Sequence, residues 1–230
     1  MKILAVVLVF TLCLLAGAAY AGDSTYNWSG IYGGASIGYV NASQDWTLGR
    51  NQFWGLKGDS QDFTFDQFEI GAYVGAQYQW KWLVLGGEGG IFKGPRDEQN
   101  MLSPRFPTED QWKADIHTIA KVVAKVGYAY DRFLFYAKGG YAGAMVDTDT
   151  RSVIGPSRQK TSNWHNGWTV GGGVEYAITN HILIGAEYNY IGLGSRAHKS
   201  GITSGPFFDA NVDAAVHQVL LRISYKFDVF

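Results

Sequence analysis

The 230-residue chain sets 19 basic against 20 acidic side chains and holds one cysteine, Cys13. A formal charge of −1 leaves no field for nucleic-acid phosphates, and a lone thiol cannot build an internal disulfide framework. With 47% hydrophobic and 15% aromatic residues the chain is too apolar for disorder, and its 30 glycines favour many short strands over helices.

The first element in chain order is not expected in the fold. Lys2 gives a positive start, residues 3–15 form an apolar run, and Ala19-Tyr20-Ala21 makes an A-x-A site. This is the pattern of a secretory signal peptide, cleaved before Gly22. The run is too short for a membrane helix, and no small-residue lipobox precedes Cys13. Residues 22–230 then form one domain, free of cysteine, as suits export into an oxidising compartment.

Beyond the signal no apolar run approaches twenty residues; segments of about ten residues with period-2 apolar character recur instead. The alternation predicts strands near 29–40, 67–80, 82–92, 112–129, 133–146, 167–178, 181–193 and 214–227. In the second, Phe68, Ile70, Ala72, Val74, Ala76, Tyr78 and Trp80 share one face, against Glu69, Gly71, Tyr73, Gly75, Gln77 and Gln79. In the last, His217, Val219, Leu221, Ile223, Tyr225 and Phe227 oppose Gln218, Leu220, Arg222, Ser224 and Lys226.

The connections alternate. Tight turns fall at Trp80-Lys81-Trp82, Asp131-Arg132 and Thr179-Asn180, and long connections at 41–66, 93–111, 147–166 and 194–213. Short periplasmic turns with long external loops are the rule of an outer-membrane barrel, here all-β, eight-stranded and antiparallel. A closed barrel satisfies every backbone group in lipid. A soluble sandwich or lipocalin-like barrel also shows period 2, but this polar face is too charged for a dry core and too glycine-rich for a solvated surface. Aromatics cluster at both ends of the apolar face. Trp80, Trp82, Tyr130, Phe133, Tyr176 and Phe227 lie near the short turns, and Phe92, Tyr141, Trp168 and Tyr190 near the long connections, as two interfacial girdles.

Turning the polar face inward puts Glu69, Glu88, Glu175, Glu187, Lys121, Lys125, Lys138 and Arg222 in the lumen. Glu88, Lys125, Lys138, Glu175, Glu187 and Arg222 all sit four to seven residues above the periplasmic rim. That is ~10–18 Å up a tilted strand, so three acids and three bases share one level and are expected to pair. A selectivity filter or proton path would use the same residues, but an eight-stranded interior is narrow enough to be filled by side chains, which favours a plug.

The remaining motifs carry less chemistry. Gly171-Gly172-Gly173 lacks nucleotide-loop spacing and is read as relief of crowding inside the barrel. His117, His165, His181, His198 and His217 show no metal-ligand spacing, and Asp147-Thr148-Asp149 lacks the glycine and glutamate of a calcium loop. No metal and no cofactor are expected; haem ligation by a loop histidine, His165 or His198, is the alternative. His198-Lys199-Ser200 has the H-x-S spacing of one lipid A deacylase family, but its place in a glycine-flanked loop argues against catalysis.

Several blocks resemble the small outer-membrane β-barrel proteins of alphaproteobacteria, the porin-family or outer-membrane immunogenic type. They are residues 28–34 (WSGIYGG), 127–132 (GYAYDR), 167–177 (GWTVGGGVEYA), 185–190 (GAEYNY) and the terminal Tyr225-Lys226-Phe227. The resemblance implies an eight-stranded barrel, abundant at the cell surface and often antigenic, with structural or adhesive roles; some relatives are thought to bind haem and some are described as porins. It also implies an assembly signal in the last strand. Counting back from Phe227 gives an unbroken apolar face that includes Tyr225, whereas counting from Phe230 turns Arg222, Lys226 and Asp228 toward lipid. Tyr225 and Phe227 are therefore the expected signal, and Asp228 to Phe230 a dispensable tail that departs from the family pattern.

The expected role is a non-enzymatic surface barrel in the outer membrane of a Gram-negative cell, serving envelope integrity and surface contacts; a small porin or a haem-binding transport barrel is the alternative. Expected partners are outer-membrane lipids and lipopolysaccharide, the assembly machinery, and host or environmental ligands of the external loops, with no nucleic acid.

Overall fold

A computed structural model describes residues 26–48, 60–94, 99–102, 110–152, 158–200 and 208–227. The signal segment with Cys13 and the tail Asp228 to Phe230 lie outside the described residues. Nine strand segments follow in order: β1 (Gly30–Leu48), β2 (Ser60–Trp80), β3 (Leu83–Lys93), β4 (Gln99–Leu102), β5 (Asp110–Tyr130), β6 (Phe133–Ser152), β7 (Arg158–Ala177), β8 (Ile182–Ser200) and β9 (Phe208–Phe227). Every neighbour is antiparallel, and β1 pairs with both β2 and β9, from Ile31↔Phe227 upward on the β9 side. Because β3 pairs with β5, the wall closes as a circle of eight; β4 only extends the edge of β5 above β3.

The strands outrun the apolar alternation that predicts them. β9 has 20 residues, ~66 Å of extended chain at ~3.3 Å per residue. Tilted as barrel strands are, it rises about twice the ~25 Å apolar band of a membrane barrel. The long connections expected at 41–66, 147–166 and 194–213 are therefore largely strand. In water a β-ladder needs no apolar face, so pairing continues where alternation stops: Thr47↔Ser60, Arg151↔Arg158 and Ser200↔Phe208 are still opposed.

At the other end the turns are tight. Lys81-Trp82 and Asp131-Arg132 each join two strands directly, with Lys81 at φ 56° and Asp131 at φ 50°. The third turn spans 178–181, two residues wider than Thr179-Asn180, and the Thr179 hydroxyl accepts from the backbone N–H of His181 and of Ile182.

Burial alternates along the membrane-level part of each strand. Phe68, Ile70, Val74, Tyr78 and Trp80 are exposed, as are Val219, Leu221, Ile223, Tyr225 and Phe227, while Glu69, Tyr73, Gln77, Gln218, Leu220 and Arg222 are buried. The apolar face thus points to lipid.

Three expectations need correction. Phe92 is not part of the outer girdle but is buried in the lumen, since it lies four residues from Glu88 and shares its inward parity. His165 and His198 are not on loops: they sit on β7 and β8, with His165 buried. His198-Lys199-Ser200 likewise ends a strand rather than lying in a glycine-flanked loop.

Candidate functional site

The mid-barrel lumen is filled by a belt of charge. Lys125 and Lys138 lie directly opposite each other across β5 and β6, a repulsive placement if left alone. Each takes its own carboxylates. Lys125 Nζ is 2.8 Å from Glu175 Oε2, and Lys138 Nζ is 2.6 Å from Glu187 and 3.1 Å from Glu88. Arg222, from β9, stands among all three acids: its Nη2 is 2.5 Å from Glu88, its Nη1 bonds Glu187, and Glu175 Oε1 is 3.8 Å away. The six residues named from the sequence for this level are therefore in one ion-paired cluster, each with side chains 3% exposed or less.

Tyrosines complete the cluster. Tyr32 donates to Glu88 at 3.0 Å and Tyr136 to Glu187 at 2.8 Å, and the Arg222 guanidinium lies 3.9 Å over the Tyr73 ring. Each tyrosine sits opposite a glycine on the next strand: Tyr32↔Gly75, Tyr73↔Gly34 and Tyr136↔Gly173. A Cβ at Gly34, Gly75 or Gly173 would come within 2.8 Å of the tyrosine it faces. The bare backbone is what lets a phenol reach the belt inside so narrow a barrel. Gly173, read from sequence as relief of crowding, is the residue beneath Tyr136.

A second layer lies above. Lys121 Nζ donates to Gln218 Oε1 at 2.6 Å, Gln218 bonds Glu69, and Asn189 joins Gln218 to Glu187 at 2.8 and 2.7 Å. Below, Gln77 accepts from Lys125 and donates to the Trp28 carbonyl at 2.9 Å. All eight strands of the circle contribute, from Tyr32 on β1 to Arg222 on β9. Apolar side chains cap the layers at both ends: Val40, Phe92, Ile191 and Val216 toward the outside, and Trp28, Val84, Leu134 and Leu183 toward the turns.

The floor is made by residues 26–29, which precede β1. Tyr26 donates to the Asn180 carbonyl at 2.9 Å, Lys226 donates to the Asn27 carbonyl at 2.6 Å, and Trp28 is fully buried. This segment ties the first strand, the last strand and the third turn together.

Sequence reading missed the tyrosines, Gln77, Asn189, Gln218 and the floor. Inward parity on each strand carries the first four; nothing in an alternating pattern marks Tyr26 and Trp28, which lie outside it. Tyr225 and Phe227 are placed elsewhere, on the lipid face at the end of β9, with Phe227 opposite Ile31 at the seam. Among the described residues no group of His, Cys, Asp and Glu could hold a metal ion.

The chemistry available is electrostatic locking. The acids Glu88, Glu175 and Glu187 are engaged by Lys125, Lys138 and Arg222.

Comparison with known proteins gives the same architecture. The outer membrane protein beta-barrel domain family matches residues 8–227. The 31 kDa outer-membrane immunogenic protein of Brucella melitensis is 27% identical over 217 residues, covering 88% of this chain and 85% of that protein. The 25 kDa outer-membrane immunogenic protein of Brucella abortus is 24% identical over 88% of this chain and 80% of its own. Among solved structures, the outer membrane protein OprG of Pseudomonas aeruginosa is similar in fold at a TM-score of 0.52 and 14% identity, covering 90% of this chain and all of that one.

Proposed function

Since the chain belongs to the outer membrane protein beta-barrel domain family, and is thus a surface barrel of the Gram-negative outer membrane, we propose that it is a non-conducting, non-enzymatic barrel that serves envelope integrity and carries an outer extension for surface contacts. One observation carries this reading: each strand of the circle sends a side chain into a buried, ion-paired belt, capped by apolar clusters on both sides. An open diffusion path would need those charges hydrated and spaced apart. Here the carboxylates spend themselves on Lys125, Lys138 and Arg222, holding the wall from within.

The same reading includes export by the segment 1–21, assembly through Tyr225 and Phe227, and contact with lipopolysaccharide around the outer girdle. Its Brucella relatives are named immunogenic, and the strands that continue past the membrane level are the part of this chain an antibody would reach.

Planar-bilayer recording of the purified protein tests the proposal. Silence is expected; a stable conductance step would overturn the plug and favour a small porin. Orientation is tested by protease on intact cells, which should nick the outer connections and spare Lys81 and Arg132.

A further inference from the structure

The outer ring of aromatics on the lipid face is one-sided. Eight to ten residues above the periplasmic ends of their strands, Tyr141, Trp168, Tyr190, His217 and Tyr39 each place a ring outside the wall, on β6, β7, β8, β9 and β1. On β2, β3 and β5 the outward positions at that level are Ile70, Ala72, Ile91, Lys93, Ala120 and Val122, without a ring. A girdle that only anchors a barrel at its interface has no need of a side.

Much of this crescent is one connected surface. The ring centroids of Trp168 and Tyr190 lie 5.4 Å apart and those of Tyr190 and His217 5.3 Å, and the Tyr188 hydroxyl is 2.7 Å from His217 Nδ1. Higher up, Trp164 Nε1 donates to the Tyr141 hydroxyl at 2.9 Å, and that hydroxyl donates to Asn166 Oδ1 at 2.5 Å. Two glycines seat the indoles. A Cβ at Gly143 would come within 2.3 Å of Trp164, and one at Gly192 within 3.0 Å of Trp168. Rings placed in advance lower the ordering cost of binding.

Height decides what meets this surface. Trp168 is nine residues above Ala177, the last residue of β7. At ~3.3 Å per residue and a tilt of ~40° that is ~23 Å up the barrel, the edge of the ~25 Å apolar band. Trp164, four residues higher, reaches ~33 Å, the level of lipid headgroups. Below the crescent Val170, Val219 and Leu221 continue the exposed apolar face. The surface is thus continuous with the lipid interface, and a lipid is its occupant. Rings edged by hydroxyl and amide groups match the C–H faces and hydroxyls of a sugar. Among the described residues the crescent holds no lysine or arginine for a phosphate, and Lys93 is on the ringless side.

We propose that this crescent holds the saccharide headgroup of an outer-leaflet glycolipid. The sugar face packs on Trp164 and Trp168, its hydroxyls meet Asn166 and His217, and the acyl chains run along the wall below. The proposal rests on the lipopolysaccharide contact proposed above and gives that contact a side and a chemistry, the sugar rather than the phosphate. The test uses the full protein purified from outer membranes and exchanged into phosphatidylcholine vesicles that contain lipid A, an acylated and phosphorylated glucosamine disaccharide, or its dephosphorylated form. Glycolipid retained per barrel is read by native mass spectrometry after gentle detergent extraction.

Wild type should retain both forms in preference to phosphatidylcholine. W164A and W168A should each cut retention about fivefold or more, and Y141F, which keeps the ring but loses the link to Asn166, should lower it less. I91A and V122A, on the ringless side, should leave it unchanged. Heat-modifiable migration checks that each variant is folded; if W168A is not, W168L replaces it. Equal losses on the two sides, or retention of the phosphorylated form alone, overturn the crescent and leave a general lipopolysaccharide contact standing. A wild type with no preference for either glycolipid overturns both. Conductance bears on the plug alone.

Discussion

The same eight strands behave differently below and above the Trp168–Gly192 rung. Below it every strand has a hydrogen-bonded neighbour on both sides and the wall is closed. Among the described residues, those above it form two sheets, β8-β9-β1-β2 and β4-β5-β6-β7. The difference follows from the solvent. In hydrocarbon an unpaired backbone group costs several kcal/mol, so closure is compulsory there. In water the same group is hydrated, and the strands are free to diverge.

The comparison breaks most visibly at the closing seam. Phe227→Ala, on the lipid face opposite Ile31, is expected to remove most of the heat-modifiable folded form, whereas truncation after Phe227 should leave assembly intact. Loss of insertion in the truncated chain with a silent Phe227→Ala would place the signal at Phe230 and overturn the register of β9.

The next largest effect belongs to the belt. Arg222→Ala leaves Glu88 and Glu187 short of a buried partner and is expected to cost ~3–5 kcal/mol, read from the denaturant midpoint. The outer counterpart is Asp66→Ala, which removes an exposed hydrogen bond from Asn41 and should cost no more than ~0.5 kcal/mol. Equal losses at the two sites would erase the distinction between a dry lumen and a hydrated extension.

That contrast explains what could be read beforehand. The membrane-level strands were legible because lipid and lumen impose opposite polarity on alternate residues, and the belt followed from that parity: Glu88, Lys125, Lys138, Glu175, Glu187 and Arg222 all sit on inward positions. The extension was not legible, because stretches such as residues 158–167 carry no apolar alternation in the sequence. Phe92 was misplaced by residue type, an aromatic near a long connection, although its spacing from Glu88 gave its side. Tyr26 and Trp28 close the floor from outside any strand, so periodicity had nothing to report.

A smaller effect separates the two faces of the wall. Gly34 is inward, and a Cβ there would lie 2.2 Å from the Ile223 carbonyl and 2.6 Å from the Tyr73 hydroxyl. Gly87 is outward, and its nearest atom would be 3.7 Å away. Gly34→Ala should therefore cost ~1–3 kcal/mol by overpacking, while Gly87→Ala stays within ~0.5 kcal/mol. Similar unfolding midpoints for the two variants would mean that the lumen has room to yield, contrary to a packed belt.

The smallest effect lies at the turns, where the closed wall is stitched together. Lys81 and Asp131 hold left-handed backbones, at φ 56° and 50°. A side chain with a Cβ loses roughly 1–2 kcal/mol there, less for aspartate, whose short polar group accommodates this region. Lys81→Gly removes that strain but adds freedom to the unfolded chain, which offsets ~0.4–1 kcal/mol of the gain. The net expectation is stabilisation by under ~1 kcal/mol at Lys81 and a still smaller change for Asp131→Gly. Both should leave conductance unchanged, since the belt is not touched. A clear loss of stability at Lys81→Gly would show that its side chain contributes an interfacial anchor worth more than the backbone strain, and the tight end of the barrel would then owe its order to lipid contacts as well as to closure.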